Sequence, residues 1–250
     1  MWKFNWRSIR FKSSSSTRWL NRQKNDEFSK KSKTQHFKSR AAFKLIEINE
    51  RFHILRNCRN IVDLGYAPGS WSQVIKSSME KSGKRGKILG VDLINCSPPE
   101  GVDFIQGDFL HHETQQKIID YFNGQYVGEV FGSKKLLAEK VAYPDSEPLD
   151  HDIENKTQSV DLILSDMLEN TTGLKNIDHL SSMDICNSVM IFSNRLLKKN
   201  GSLVMKFYQG NEQTGIENKL KQMFTKVYIF KPKSSRSESK EMFFVALKLK

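Results

Sequence analysis

Seven short apolar runs, most of them next to a stretch of helical periodicity, constrain this chain more than any other feature. The runs are 61–64 (IVDL), 87–93 (KILGVDL), 103–109 (DFIQGDF), 160–167 (VDLILSDM), 201–208 (GSLVMKFY), 226–230 and 242–249 (MFFVALKL). Helix-like segments flank them. In 39–52, Ala42, Leu45, Ile46 and Ile48 fall near helical spacing; 69–81 and 111–122 follow, and 178–199 should be closed by an Asn200–Gly201 stop. Strands alternating with helices predict a mostly parallel sheet covered on both faces. The last two runs are joined by 231–240, too polar to supply the helical crossover that a parallel neighbour needs, so the last strand should enter antiparallel. Residues 123–159 have no clean period and read as an insertion, part helix (134–141) and part acidic loop.

The formal charge of +12 is unevenly placed: residues 1–40 hold twelve Lys/Arg against Asp26 and Glu27, and the rest of the chain is nearly neutral. Residues 1–24 contain no acid and are rich in Arg and Ser, with Trp2, Trp6 and Trp19 among apolar neighbours. They fit a mitochondrial transit peptide cleaved within 13–17; a basic arm that touches RNA is the other reading. The stretch 26–40 stays basic and could contact phosphates. On this view 25–250 form one domain carrying the insertion. No apolar run nears the ~20 residues of a membrane-spanning helix. Cys58, Cys96 and Cys186 are too few and too scattered for a disulfide scaffold or a zinc cluster. Adjacent His111 and His112 would point apart at a helix start, so no metal site is expected.

The segment Asp63–Trp71 (DLGYAPGSW) joins the first strand to its helix, where an open α/β sheet binds ligands. Its glycines permit close backbone approach, but no pyrophosphate cradle is present, which suits a nucleoside with a charged amino-acid tail. An ordinary strand–helix turn would use the same residues. Asp92 ends the second strand, where a carboxylate can accept both ribose hydroxyls, and Asp108 ends the third, where it can take a hydrogen bond from an adenine amino group. One such acid is commonly a turn residue; two at successive strand ends favour an adenosine site.

Lys44, Asp166, Lys206 and Glu241 each interrupt an otherwise apolar element, and buried charges are seldom unpaired. If the sheet brings them together, two amines and two carboxylates can activate a weak hydroxyl nucleophile such as a ribose 2′-OH. Lys206 is the expected base and Lys44 the adjacent cation; Asp166 and Glu241 would orient the amines, with much of the acceleration from in-line positioning. Taken singly, each could be a structural ion pair.

A parallel sheet with one reversed strand resembles the Rossmann-like S-adenosylmethionine-dependent methyltransferase fold. More specifically, SRAAFKL, DLGYAPGSWSQ, GVDL, GDF, LILSDM, VMKFYQG and SRSESKEMFFVAL follow the order and approximate spacing of the FtsJ/RrmJ family of ribosomal RNA 2′-O-ribose methyltransferases, from about Ser39 to the C-terminus. The leader and Arg18–Gln23 (RWLNRQ) resemble the fungal mitochondrial members, which methylate a uridine of large-subunit ribosomal RNA. The resemblance implies a Lys-Asp-Lys-Glu tetrad at Lys44, Asp166, Lys206 and Glu241. It implies S-adenosyl-L-methionine contacts at Pro68, Gly69, Ser70, Trp71, Asp92, Asp108 and Asp166. It further implies a mitochondrial matrix enzyme acting on ribosomal RNA, within a large-subunit pre-ribosome and without membrane insertion. Ser70 stands where a second glycine is common and should adopt a helical φ; the family's S-D-M-A-P-N is here Ser165-Asp166-Met167-Leu168-Glu169-Asn170, which lacks the proline in the loop after Asp166. Two rival readings are a messenger-cap 2′-O-methyltransferase, against which the leader speaks, and a non-enzymatic ribosomal RNA assembly factor.

Overall fold

The computed structural model describes residues 26–132, 158–168 and 172–250; the leader 1–24, the expected helix 134–141 and most of the expected acidic loop lie outside them. Among these residues seven strands form one sheet: β1 (Asn60–Leu64), β2 (Lys87–Asp92), β3 (Asp103–Gln106), β4 (Val160–Ser165), β5 (Leu197–Tyr208), β6 (Phe224–Phe230) and β7 (Glu241–Leu249). Their order is β3-β2-β1-β4-β5-β7-β6. The first five pair in parallel, whereas β7 runs antiparallel to both β5 and β6. The polar link 231–240 does what its composition predicts: without a crossover helix, β7 returns between its neighbours in reverse.

Among the described residues six helices surround the sheet: α1 (Glu27–Thr34), α2 (Ala41–Phe52), α3 (Ser70–Lys81), α4 (His112–Asn123), α5 (Lys175–Leu196) and α6 (Gln213–Met223). Alternate strand residues feed two cores. Val62, Leu89, Ile163 and Met205 meet Ile118 of α4, Val189 of α5 and Leu220 of α6 on one face. Ile61, Leu162, Val204 and Phe243 meet Leu45 of α2 and Ile75 of α3 on the other. No helix among the described residues is long and apolar enough to cross a membrane.

Three elements depart from the sequence reading. The helix expected over 178–199 ends at Leu196, and β5 begins at Leu197. Leu197 pairs with Val160 and is fully buried, so the left-handed Asn200 (φ 65°) makes an irregularity inside β5 rather than a helix stop. Helix α6 was not expected: it holds only Ile216, Leu220 and Met223 on its inner side and contains Gly215, leaving a weak periodicity. Helix α1 was read only as a basic stretch; Asp26 caps it by accepting from the N–H groups of Phe28 and Ser29 at 3.0 and 3.2 Å.

Candidate active site

Strand order converts scattered acids into a row. Along β3-β2-β1-β4-β5, the C-terminal ends present Asp108, Asp92, the 65–69 loop, Asp166 and then, inside the last turn of strand, Lys206. The order reverses between β1 and β4, which opens a crevice at that edge.

The crevice loop is pinned by main-chain bonds. Gly65 and Tyr66 both donate to Val91 O, at 3.0 and 3.2 Å, and Gly69 donates to Tyr66 O at 2.6 Å. Pro68 follows a cis peptide, and Gly69, at φ 97°, turns the chain into α3; a Cβ there would meet the Tyr66 ring. Ser70 is the first helical residue and lies outside the left-handed region, as expected of a residue with a Cβ. Its Oγ accepts from Ser39 Oγ at 2.8 Å. Trp71 is buried, 5.8 Å from the Phe243 ring, and its indole N–H donates to Ala41 O at 2.8 Å. It therefore ties α2 to the crevice rather than forming an open wall of it.

Asp92 ends β2 as expected, whereas β3 stops at Gln106 and Asp108 lies two residues beyond it; both carboxylates organise backbone. Asp92 Oδ2 accepts from Ala67 N and Oδ1 from Ile94 N, each at 2.8 Å. Asp108 Oδ1 accepts from Leu110 N at 2.9 Å. A carboxylate offers about four lone-pair sites, so each acid keeps acceptor capacity for a ligand. Nucleoside hydroxyl and amino groups fit these remaining acceptors.

The four charged residues assemble as two ion pairs. Lys44 Nζ lies 2.6 Å from Glu241 Oε2, and Lys206 Nζ lies 2.9 Å from Asp166 Oδ1 while donating to Asp166 O at 2.6 Å. All four side chains are at least four-fifths buried. The link between pairs is Phe243: it is the register partner of Lys206, and the Lys44 ammonium sits 5.8 Å from its ring centroid. Burial works against the charge on Lys44, yet the Asp166 and Glu241 carboxylates outweigh it and raise its pKa above the ordinary lysine value. Burial likewise opposes ionisation of Asp166, and the Lys206 and Lys44 ammoniums reverse that, holding it below the usual carboxylate value. Lys206 thus gives one hydrogen bond to the Asp166 main chain and faces its carboxylate as an ion pair.

Two residues escaped the sequence reading. Ser235 donates its hydroxyl to Glu241 Oε1 at 2.7 Å, within the SRSESKE segment but six residues before Glu241. Asp63, 1% exposed, lies under the crevice and accepts from Ser72 Oγ at 2.8 Å. Burial pushes its carboxyl up to about 8, with Asp166 and Asp92 adding to the effect against the Ser72 bonds. Its place in an apolar strand was the available signal. Of the basic stretch 26–40, Lys38 is spent on Ser97 O at 2.6 Å, and Arg40 on Asp26 and Ser234 O.

Comparison with known proteins matches residues 37–249 to the FtsJ-like methyltransferase family. The chain is 38% identical over 232 residues to mitochondrial rRNA methyltransferase 2 of Schizosaccharomyces pombe, covering 93% of this chain and 95% of that protein. It is 36% identical over 240 residues to ribosomal RNA large subunit methyltransferase E of Zymomonas mobilis, covering 96% and 91%. The mitochondrial rRNA methyltransferase 2 of Saccharomyces cerevisiae matches at 33% over 291 residues, covering 97% and 90%. Among solved structures, a ribosomal RNA methyltransferase from Plasmodium falciparum superposes with a TM-score of 0.64 at 27% identity, covering 85% of this chain and 98% of that one.

Proposed function

The chain belongs to the FtsJ-like methyltransferase family, and on that premise we propose that it methylates the 2′-hydroxyl of a uridine ribose in mitochondrial large-subunit ribosomal RNA, using S-adenosyl-L-methionine. The observation that carries this reading is the joining of two buried lysine–carboxylate pairs, Lys44–Glu241 and Lys206–Asp166, beside the β1–α3 crevice. The 65–70 loop, Asp92, Asp108 and Asp166 would hold the cofactor, with Trp71 supporting the loop from beneath. When bound, S-adenosyl-L-methionine supplies an electrophilic methyl group.

The protein's own residues then handle the hydroxyl. Asp166, through its carboxylate and its main-chain oxygen, fixes the Lys206 nitrogen in one place. Lys206, acting as the neutral amine after giving its own proton to solvent, would take the proton of the 2′-OH as that oxygen bonds to the methyl carbon, with the carbon–sulfur bond breaking and a neutral thioether leaving. Lys44, kept charged by Asp166 and Glu241, stabilises the negative charge growing on the oxygen. The hydroxyl needs only to be placed in line and stripped of water for most of the acceleration. The mitochondrial relatives, together with the acid-free leader, support a mitochondrial site of action on a large-subunit precursor.

Purified protein incubated with S-adenosylmethionine and undermethylated large ribosomal subunits should add one ribose methyl group, mapped by resistance of the modified linkage to alkaline cleavage. Lys206→Ala should lose transfer while binding the cofactor as the wild type does. Normal methylation by that variant would remove Lys206 from the base role; wild-type protein that binds cofactor but modifies no RNA would overturn the proposed activity.

A further inference from the structure

Tyr208 ends β5 two residues after Lys206, so the two side chains share a sheet face. Its register partner across the antiparallel pair is Glu241, as Phe243 is that of Lys206. Tyr208 therefore stands beside the tetrad on the same side of the sheet. Its ring is half-buried, and its hydroxyl has no hydrogen-bond partner among the described residues.

The main chain of Tyr208 is held with unusual completeness. Its N–H donates to Ser182 Oγ at 3.1 Å, and Ser182 Oγ in turn donates to His179 O at 2.7 Å. His179 Nε2 accepts from Glu212 N at 3.0 Å; a main-chain N–H can only donate, so the ring proton sits on Nδ1 and is given to Tyr208 O, 2.7 Å away. The buried imidazole thus clamps both ends of 208–212, and a Cβ on Gly210 would overlap it. Gln209 N adds a bond to Lys240 O at 3.0 Å, tying the same turn to the residue before Glu241. Together these bonds fix a half-buried aromatic ring next to the reacting groups. Burial pushes the phenol up, and Glu241, Asp178 and Asp166 act the same way against Lys44, so the ring stays neutral at physiological pH.

Resting on the reading that the substrate is RNA, we infer that Tyr208 is the aromatic wall of the acceptor site, stacking on the nucleobase of the target nucleotide, and that His179 and Ser182 are positioning residues that hold it there. Aromatic faces suit this task because every base offers a π-face, and recognition of an unpaired nucleotide draws on such stacking.

Steady-state methylation of undermethylated large ribosomal subunits tests this. Tyr208→Leu keeps bulk but loses the ring, and should raise KM for the subunit roughly tenfold or more; Tyr208→Phe should stay close to wild type. Cofactor affinity, measured by calorimetry, should be unchanged in both and reports that each variant is folded. His179→Ala should reproduce the raised KM, and His179→Asn, which keeps a donor for Tyr208 O, should recover it. A Tyr208→Leu enzyme with wild-type KM, or a Tyr208→Phe enzyme as poor as Tyr208→Leu, overturns the stacking role. An unaltered His179→Ala enzyme overturns the positioning role. A wild-type protein that methylates no RNA instead overturns the underlying activity, and this inference with it.

Discussion

Glu241 illustrates how a single carboxylate is aimed. One oxygen meets Lys44 and the other receives the Ser235 hydroxyl, so neither can swing away without breaking a charge-assisted bond. Ser235→Ala should therefore lower kcat roughly tenfold, the value of a hydrogen bond to a charged group, with cofactor affinity unchanged in a binding titration. Asp63 poses the opposite case, a carboxyl kept neutral by burial, with its folded pKa near 8. Its unfolded value is about 3.9, so between those limits the native state binds the extra proton. The stability this group contributes is full below about pH 4 and is lost as pH rises through 8. Asp63→Asn removes the titration while preserving an acceptor for Ser72. Denaturant unfolding at pH 5 and pH 8 should show a smaller decline for the variant than for the wild type.

Elements carry a different set of lessons. Strand β5 starts before its own turn, with Leu197 paired to Val160 and Asn200 in the left-handed region between the two registers. A β-branched residue at that φ costs about 1–2 kcal/mol and glycine costs almost nothing. Asn200→Val should reduce the unfolding free energy by that amount in urea titration, and Asn200→Gly should leave it within about 0.5 kcal/mol. The 231–240 link looks featureless as sequence, yet Glu47 of α2 accepts from Lys233 N and Ser234 N at 2.5 and 2.8 Å. Arg40 adds a bond to Ser234 O. That loop is thereby held against the helix that carries Lys44, and Ser235 is delivered to Glu241.

Across the whole molecule, charge is divided between a basic N-terminal stretch and a nearly neutral body. A fluorescent protein bearing residues 1–24 at its N-terminus should be imported into mitochondria, scored by microscopy and fractionation; cytosolic retention would favour the RNA-arm reading. The alternation of strand and helix patterns made the parallel sheet, the reversed last strand and the crevice loop legible, because each depends on local periodicity and turn chemistry. Helix α6 was not legible, since its stability comes from packing Ile216 and Leu220 against a core that no local window contains.

Residue type and spacing alone determined the sheet, the loop and four charged side chains in search of partners. Pairing across 197 positions between Lys44 and Glu241 was decided only when strand order laid β4, β5 and β7 side by side. The same holds for the proton on His179 Nδ1, the neutral Asp63 and the ionised Asp166. Those states depend on distance and loss of water, and neither exists until the chain has folded.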